Sequence, residues 1–173
     1  MVDIDFQHHC FGFFLIGFTL PERILVESKT EINRSPEDVL DFLDNLRNWE
    51  KWSEINAQND STLKVEYSGT SAGVGSIMTW ERKALGKGSI KITRITQMPV
   101  LHYILEPESS NLLFDCKFEI RKTEQPGKSN VRWVVVTDLG LNPVMRYAGI
   151  LLKSSLKSET EKEIEKLKAV LEE

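Results

Sequence analysis

Leu112-Leu113-Phe114-Asp115-Cys116-Lys117-Phe118-Glu119-Ile120-Arg121 decides the fold. Leu112, Phe114, Cys116, Phe118 and Ile120 share one parity, and Asp115, Lys117, Glu119 and Arg121 the other. Successive side chains of a strand point to opposite faces, so this run reads as a strand with one apolar and one wet face. That is the pattern of an antiparallel sheet covered on one side. The same period of two extends from Leu63 to Gly140 and predicts six strands, near 63–68, 76–83, 87–96, 101–106, 111–123 and 130–139. Gly69, Gly73, Gly75, Gly86, Pro99, Pro107 and Pro126-Gly127 punctuate them. Turns this short join antiparallel neighbours, because parallel pairing needs long crossovers.

Upstream, Ile24 to Ile32 reads as one more strand, with Glu27, Lys29 and Glu31 on one face and Val26, Ser28, Thr30 and Ile32 on the other. Asn33-Arg34-Ser35-Pro36-Glu37-Asp38 then starts a helix: Ser35 caps, Pro36 suits the first position, and two acids occupy the first turn. Val39, Phe42, Leu43 and Leu46 supply its apolar stripe, and a second short helix carries Trp49 and Trp52. Downstream, Asn142-Pro143 opens a helix that nothing breaks before Glu173. Its apolar face is read as Ile150, Leu156, Ile164, Leu167 and Leu171, with Glu159–Lys162, Glu163–Lys166 and Glu165–Lys168 pairing on the solvated side. Such a helix is about 45 Å long. It is longer than any strand here and must lie across the sheet to bury its stripe. No repeat or linker divides the chain.

The 173 residues carry 40% hydrophobic and 28% charged side chains, an ordinary balance for one globular domain with a real core. A net charge of −4, with Lys and Arg scattered among acids, excludes the basic stripe of a nucleic-acid binder. Cys10 and Cys116 show no CxxC or zinc spacing, and Cys116 is expected to be a reduced thiol in a cytoplasmic protein.

Cys10 to Leu20, CFGFFLIGFTL, is a run of eleven uncharged residues ended by Pro21. As a helix it covers about 16 Å, half of a bilayer's hydrocarbon. Asp3 and Asp5 precede it where a signal peptide would have Lys or Arg. The expectation is a segment, 1–21, that packs on the domain or a neighbouring chain, with a peripheral membrane contact through residues 10–20 as the sharper alternative.

Strand, two short helices, six strands and a long helix is an order that resembles the SRPBCC or START-like superfamily, in its polyketide cyclase/dehydrase-like branch. The likeness is carried by Val26-Glu27-Ser28 to Ile32 with Ser35-Pro36-Glu37-Asp38-Val39, and by the Trp-x-x-Trp-Ser pattern at Trp49 to Ser53. It continues in Gly73-Val74-Gly75-Ser76 with Trp80-Glu81, Gly86-Lys87-Gly88-Ser89-Ile90, Asn130-Val131-Arg132-Trp133, and Leu167-Lys168 with Glu172. It spans about residues 22–173. The resemblance implies a helix-grip α+β fold, a curved antiparallel sheet of seven strands wrapped around the C-terminal helix, with a ligand cavity between them. Many relatives carry an N-terminal membrane helix ending in Leu-Pro, which places Leu20-Pro21 at the end of an anchor remnant.

Strand parity then selects the cavity lining: Met78, Trp80, Ile90, Ile92, Phe114, Cys116, Phe118 and Trp133, with Val131 and Val135, and from the helix Met145, Tyr147, Ile150 and Leu151. Most of these would serve any closed core. No catalytic set stands out: the two Gly-x-Gly-Ser runs lead into strands rather than a helix N-terminus, and His8-His9-Cys10 lacks a fourth ligand. No metal or cofactor is expected. The favoured function is binding of a small hydrophobic molecule of lipid, polyketide or isoprenoid type. The alternatives are a cyclase or dehydratase using His102, Tyr103, Tyr147 or Glu81, and a membrane-associated or chaperone-activator-like interaction protein.

Overall fold

A computed structural model describes residues 17–56, 60–83 and 86–173. Seven strands form one antiparallel sheet: β1 (Arg23–Ile32), β2 (Lys64–Gly69), β3 (Ser76–Arg82), β4 (Gly86–Ile95), β5 (Val100–Pro107), β6 (Phe114–Lys122) and β7 (Ser129–Asp138). Their spatial order is β1-β7-β6-β5-β4-β3-β2, a meander whose first strand closes on its last. Two short helices, α1 (Pro36–Leu43) and a 3₁₀ helix (Leu46–Lys51), link β1 to β2, and the long α2 (Pro143–Glu172) ends the chain. The expected class, strand count and element order are therefore those of the molecule, including the helix-grip arrangement.

Local chemistry explains the boundaries. The Ser35 hydroxyl accepts from the Asp38 amide at 3.1 Å with Pro36 in the first turn, and Asn142 does the same for Val144 at 3.0 Å ahead of Pro143. Strand β6 begins at Phe114, later than its apolar alternation indicates, because Leu113 gives its carbonyl to the Thr137 hydroxyl. Both Gly-x-Gly-Ser runs lie at hairpins. Gly88 is required there by packing, since a Cβ would sit 2.3 Å from the Trp80 indole laid across it.

α2 comes closest to the sheet along β1. Thr160 donates to the Lys157 carbonyl and lies 2.8 Å from the Ser28 hydroxyl, a buried polar pin between helix and strand. Its buried stripe runs through Pro143, Arg146, Gly149, Thr160, Ile164, Leu167 and Leu171. Ile150 is a correction to the predicted stripe. It is 57% exposed, because Gly149 takes the inward place and lets the helix approach Leu139 and Ile24. The expected ion pairs within the helix differ as well. Lys166 reaches Glu54 at 2.5 Å, Glu163 accepts from the Glu54 amide, and the pair along the helix is Lys157–Glu161.

The larger core joins α1, the 3₁₀ helix, the inner faces of β3–β7 and the C-terminal half of α2; a smaller one joins Ile24, Val26 and Leu139 to Leu152 and Leu156. On the outer face, Glu119 is another correction: predicted wet, it is buried beneath Lys117 at 2.6 Å and Arg132 at 3.1 Å. Those hydrogen bonds hold its carboxyl below the usual range against the opposing effect of burial.

Phe118 is fully buried among Trp49, Trp52, Tyr103 and Trp133. Phe118→Ala is expected to cost about 3–5 kcal/mol in urea unfolding, and Ile150→Ala less than about 0.5 kcal/mol.

Candidate functional site

The concave face is built by parity. Met78 and Trp80 on β3, Ile90 and Ile92 on β4, Leu101 and Tyr103 on β5, Phe114, Cys116 and Phe118 on β6, and Val131, Trp133 and Val135 on β7 are all buried. The sheet register sets Cys116 beside Tyr103 and Val135, and Phe118 beside Leu101 and Trp133. Trp49 and Trp52 reach this layer from the 3₁₀ helix and its cap. Trp49 meets Tyr103 edge-on at 4.9 Å, Trp52 meets Trp133 at 5.7 Å, and Phe118 stacks on Trp133 at 5.0 Å. These are the offset and edge-to-face geometries that ring quadrupoles favour.

Polar atoms are few inside this wall. The Trp133 indole N–H donates to the Tyr103 hydroxyl at 2.8 Å, and Cys116 stands beside Tyr103 in the sheet register. Burial pushes the Cys116 thiol up to about 12, so it is an inert thiol rather than a nucleophile. Burial likewise holds the Tyr103 phenol well above its ordinary value. Trp52 is 1% exposed, and its indole N–H has no acceptor among the described residues. Glu163, one turn beyond Thr160 on α2, is pushed up to about 7 by burial, with the Glu54 and Glu159 charges adding to the rise. The Glu54 amide at 2.7 Å and the Lys166 ammonium act in the other direction. Its charge is felt at the Tyr103 phenol.

Of the fourteen lining residues read from the sequence, the ten on strands share this concave layer. The four on the helix do not join it as a group. Met145 packs with Ile24, Val26 and Leu139, Tyr147 lies beside Gly17, and Ile150 and Leu151 are 57% and 77% exposed. The reason is the phase of α2, whose inward positions are Arg146 and Gly149. The acid–base candidates do not converge either. Glu81 pairs with Lys87 at 3.4 Å on the outer face, and His102 lies 3.1 Å from the Arg94 guanidinium, with burial and that cation lowering its pKa. Only Tyr103 faces inward. The His8-His9-Cys10 cluster lies outside the described residues.

Sequence reasoning left out Trp52 and Glu163. Trp52 entered only with the short second helix and the Trp-x-x-Trp-Ser pattern, though an indole at the cap of a helical turn is an ordinary core plug. The signal for Glu163 was spacing: it stands three residues after Thr160 and next to Ile164, on the side the helix buries.

A groove of about 790 Å³ crosses the outer face of β2–β5 and reaches Trp80 and Leu112 at the rim. Glu66, Glu81, Glu106 and Glu108 outnumber Lys64 and Lys87 along it, so it is poorly suited to an anion.

In sequence, the family described as polyketide cyclase/dehydrase and lipid transport matches residues 23–172. No curated protein matches. Among solved structures, truncated norcoclaurine synthase from Thalictrum flavum superposes with a TM-score of 0.61 at 12% identity, over 87% of this chain and 95% of that one. A protein of Thermus thermophilus gives 0.62 at 11% identity, over 85% and 96%. A Chromobacterium violaceum protein gives 0.59 at 12%, over 87% and 99%. Identities this low establish a shared fold.

The Glu163 environment has a measurable consequence. A carboxyl whose pKa rises from 4.5 to about 7 on folding binds its proton more tightly in the folded state. The stability it contributes is full below 4.5 and is lost as pH climbs towards 7. His102, shifted down, acts with the opposite sign by losing stability as pH falls. Urea unfolding of the Glu163→Gln variant across this window should therefore lack a downward component that the parent shows.

Proposed function

The chain belongs to the polyketide cyclase/dehydrase and lipid transport family, and from that premise we propose that it holds a small, mainly apolar molecule against the concave face beneath α2. A lipid-, polyketide- or isoprenoid-like guest carrying a carbonyl or hydroxyl suits the chemistry of this wall. The observation that carries the reading is the Trp52 indole N–H: a donor buried in an aromatic layer, without a protein acceptor among the described residues. Buried donors are ordinarily paired, and leaving one unpaired costs about 1–3 kcal/mol. A guest's oxygen removes that cost. Ligand sites typically combine an apolar lining with a few polar groups, and on this wall Trp52 and Tyr103 supply them.

A second reading, a cyclase or dehydratase acting on the same guest, draws on one observation. A Glu163 carboxyl pushed up to about 7 is suited to general acid–base work at neutral pH, and its charge acts on the Tyr103 phenol. In that reading Glu163 moves the proton while the wall folds the substrate into one conformer.

The test uses cis-parinaric acid, an apolar polyene whose carboxylate accepts hydrogen bonds and whose absorption takes up tryptophan emission. Saturable energy transfer from the buried tryptophans is expected. Trp52→Phe should weaken binding by about tenfold, the worth of one hydrogen bond. Absence of saturable transfer, or equal affinity in the variant, would remove the site. Incubation with a linear poly-β-ketone separates the two readings, since only the enzymatic one expects product that disappears in Glu163→Gln.

A further inference from the structure

The first three turns of α2 are apolar on the side that faces away from the sheet. Val144, Ile150 and Leu151, with Leu141 just before the helix and Phe18 beside it, are each between 52% and 77% exposed. Further along, the outward positions are Ser, Lys and Glu. An amphipathic helix ordinarily keeps its outward face polar along its whole length. Here the outward face is apolar only near the N-terminus.

Charge follows the same division. From Leu139 to Ser158 there is no Asp or Glu, and the cations are Arg146, Lys153 and Lys157; from Glu159 to Glu173 there are six acids. Arg146 is buried and paired with Glu22, and Lys157 pairs with Glu161. Lys153 remains exposed beside the patch.

A third observation concerns the chain that enters at this place. Gly17 is seated on α2, where a Cβ would lie 2.5 Å from the Pro143 Cβ and 3.0 Å from the Tyr147 ring. The Arg146 guanidinium takes the carbonyls of Phe18 at 2.9 Å, Leu20 at 3.2 Å and Gly140 at 3.1 Å. The entry of the N-terminal segment is thus fixed to the apolar patch. Residues 10–16, Cys-Phe-Gly-Phe-Phe-Leu-Ile, lead into it without a charge.

We propose that this end of the molecule docks on a lipid surface bearing acidic headgroups, with Phe18, Val144 and Leu151 entering the acyl boundary and Lys153 meeting the headgroups. Lipid is the occupant because the patch and an uncharged eleven-residue run meet at one point, beside Lys153 and with the nearby Glu22 already paired to Arg146. Even if wholly helical, eleven residues would reach about 16 Å against a hydrocarbon thickness of about 30 Å, too short a run to span. No described helix is long and apolar enough to cross a membrane. Phe18 and Tyr147 supply the aromatic groups that favour the interfacial zone. The docked face is opposite the concave wall, so this inference stands whether or not a guest binds there.

Vesicle flotation of the full chain tests it. The protein is expected to float with mixed phosphatidylcholine–phosphatidylglycerol vesicles and much less with phosphatidylcholine alone. Val144→Glu combined with Leu151→Glu should lower the bound fraction at least about tenfold. Lys153→Glu should lower it on the anionic vesicles only. Met98→Glu, which changes an exposed apolar side chain on the β4–β5 turn, should leave it unchanged. Because Val144 and Leu151 are exposed, urea unfolding of the double variant should match the parent and confirm that it folds. Failure of the parent to float with either vesicle, or flotation that survives the double substitution, overturns the proposal. So does light scattering that shows a parent dimer split by the same two substitutions, which would assign the patch to a second copy of the chain.

Discussion

A straight helix laid against a concave sheet touches it closely along one line and stands off elsewhere. In this protein the line is β1, where the Ser28–Thr160 contact and the close approach at Gly149 fix how far and in what phase α2 lies. The side over β5–β7 is lined by rings: Trp49, Trp52, Tyr103, Phe118 and Trp133, whose centroids fall 4.9–6.0 Å apart. Burial of each large side chain stabilises the fold by roughly 2–3 kcal/mol. Curvature of the sheet and size of the rings are therefore one constraint seen from two sides, and every functional feature is placed by it.

That constraint also decides which polar groups enter the interior. Trp133 and Tyr103 form a short line, the indole N–H donating to the phenol oxygen, so the two join neighbouring parts of the wall. Trp52 and Glu163 arrive from the two other elements that meet the wall, the 3₁₀ helix and α2. Each has a polar atom that the line does not use: an indole N–H with no acceptor in the described structure, and a carboxyl kept protonated up to near neutrality.

The fold was legible because period-two alternation and helix caps are local signals. Phe114-Asp115-Cys116-Lys117-Phe118, Ser35-Pro36 and Asn142-Pro143 each state their structure within a few residues. The strand half of the candidate site was legible for the same reason, since parity alone sends Trp80, Cys116 and Trp133 inward. The helix half was not. Apolar character drew the reading to Ile150 and Leu151, whereas close approach of two backbones selected Gly149, and a cluster of free carbonyls selected Arg146. Glu119 was misread on similar grounds: its neighbours Lys117 and Arg132 come from adjacent positions of the sheet, and only the register brings them over it. Both kinds of error arise where a tertiary contact outweighs residue type.

Arg146 shows how far such contacts reach. A buried guanidinium loses its hydration, a cost of several kcal/mol unless its donors are all engaged. Here three carbonyls and the Glu22 carboxylate at 2.8 Å engage it, while the Phe18 ring lies 6.0 Å from its carbon. Two of those carbonyls, on Phe18 and Leu20, end a helical turn whose C-terminal oxygens have no partner within the turn, and a cation there also complements the dipole. A lysine offers one compact charge and lacks the planar fork that spans these acceptors. The cation therefore does what an apolar residue at the same inward position cannot do. It fastens the start of β1 and the segment before it to the first turns of α2, so that the apolar surface on the outside and the aromatic wall on the inside are carried by a single rigid element.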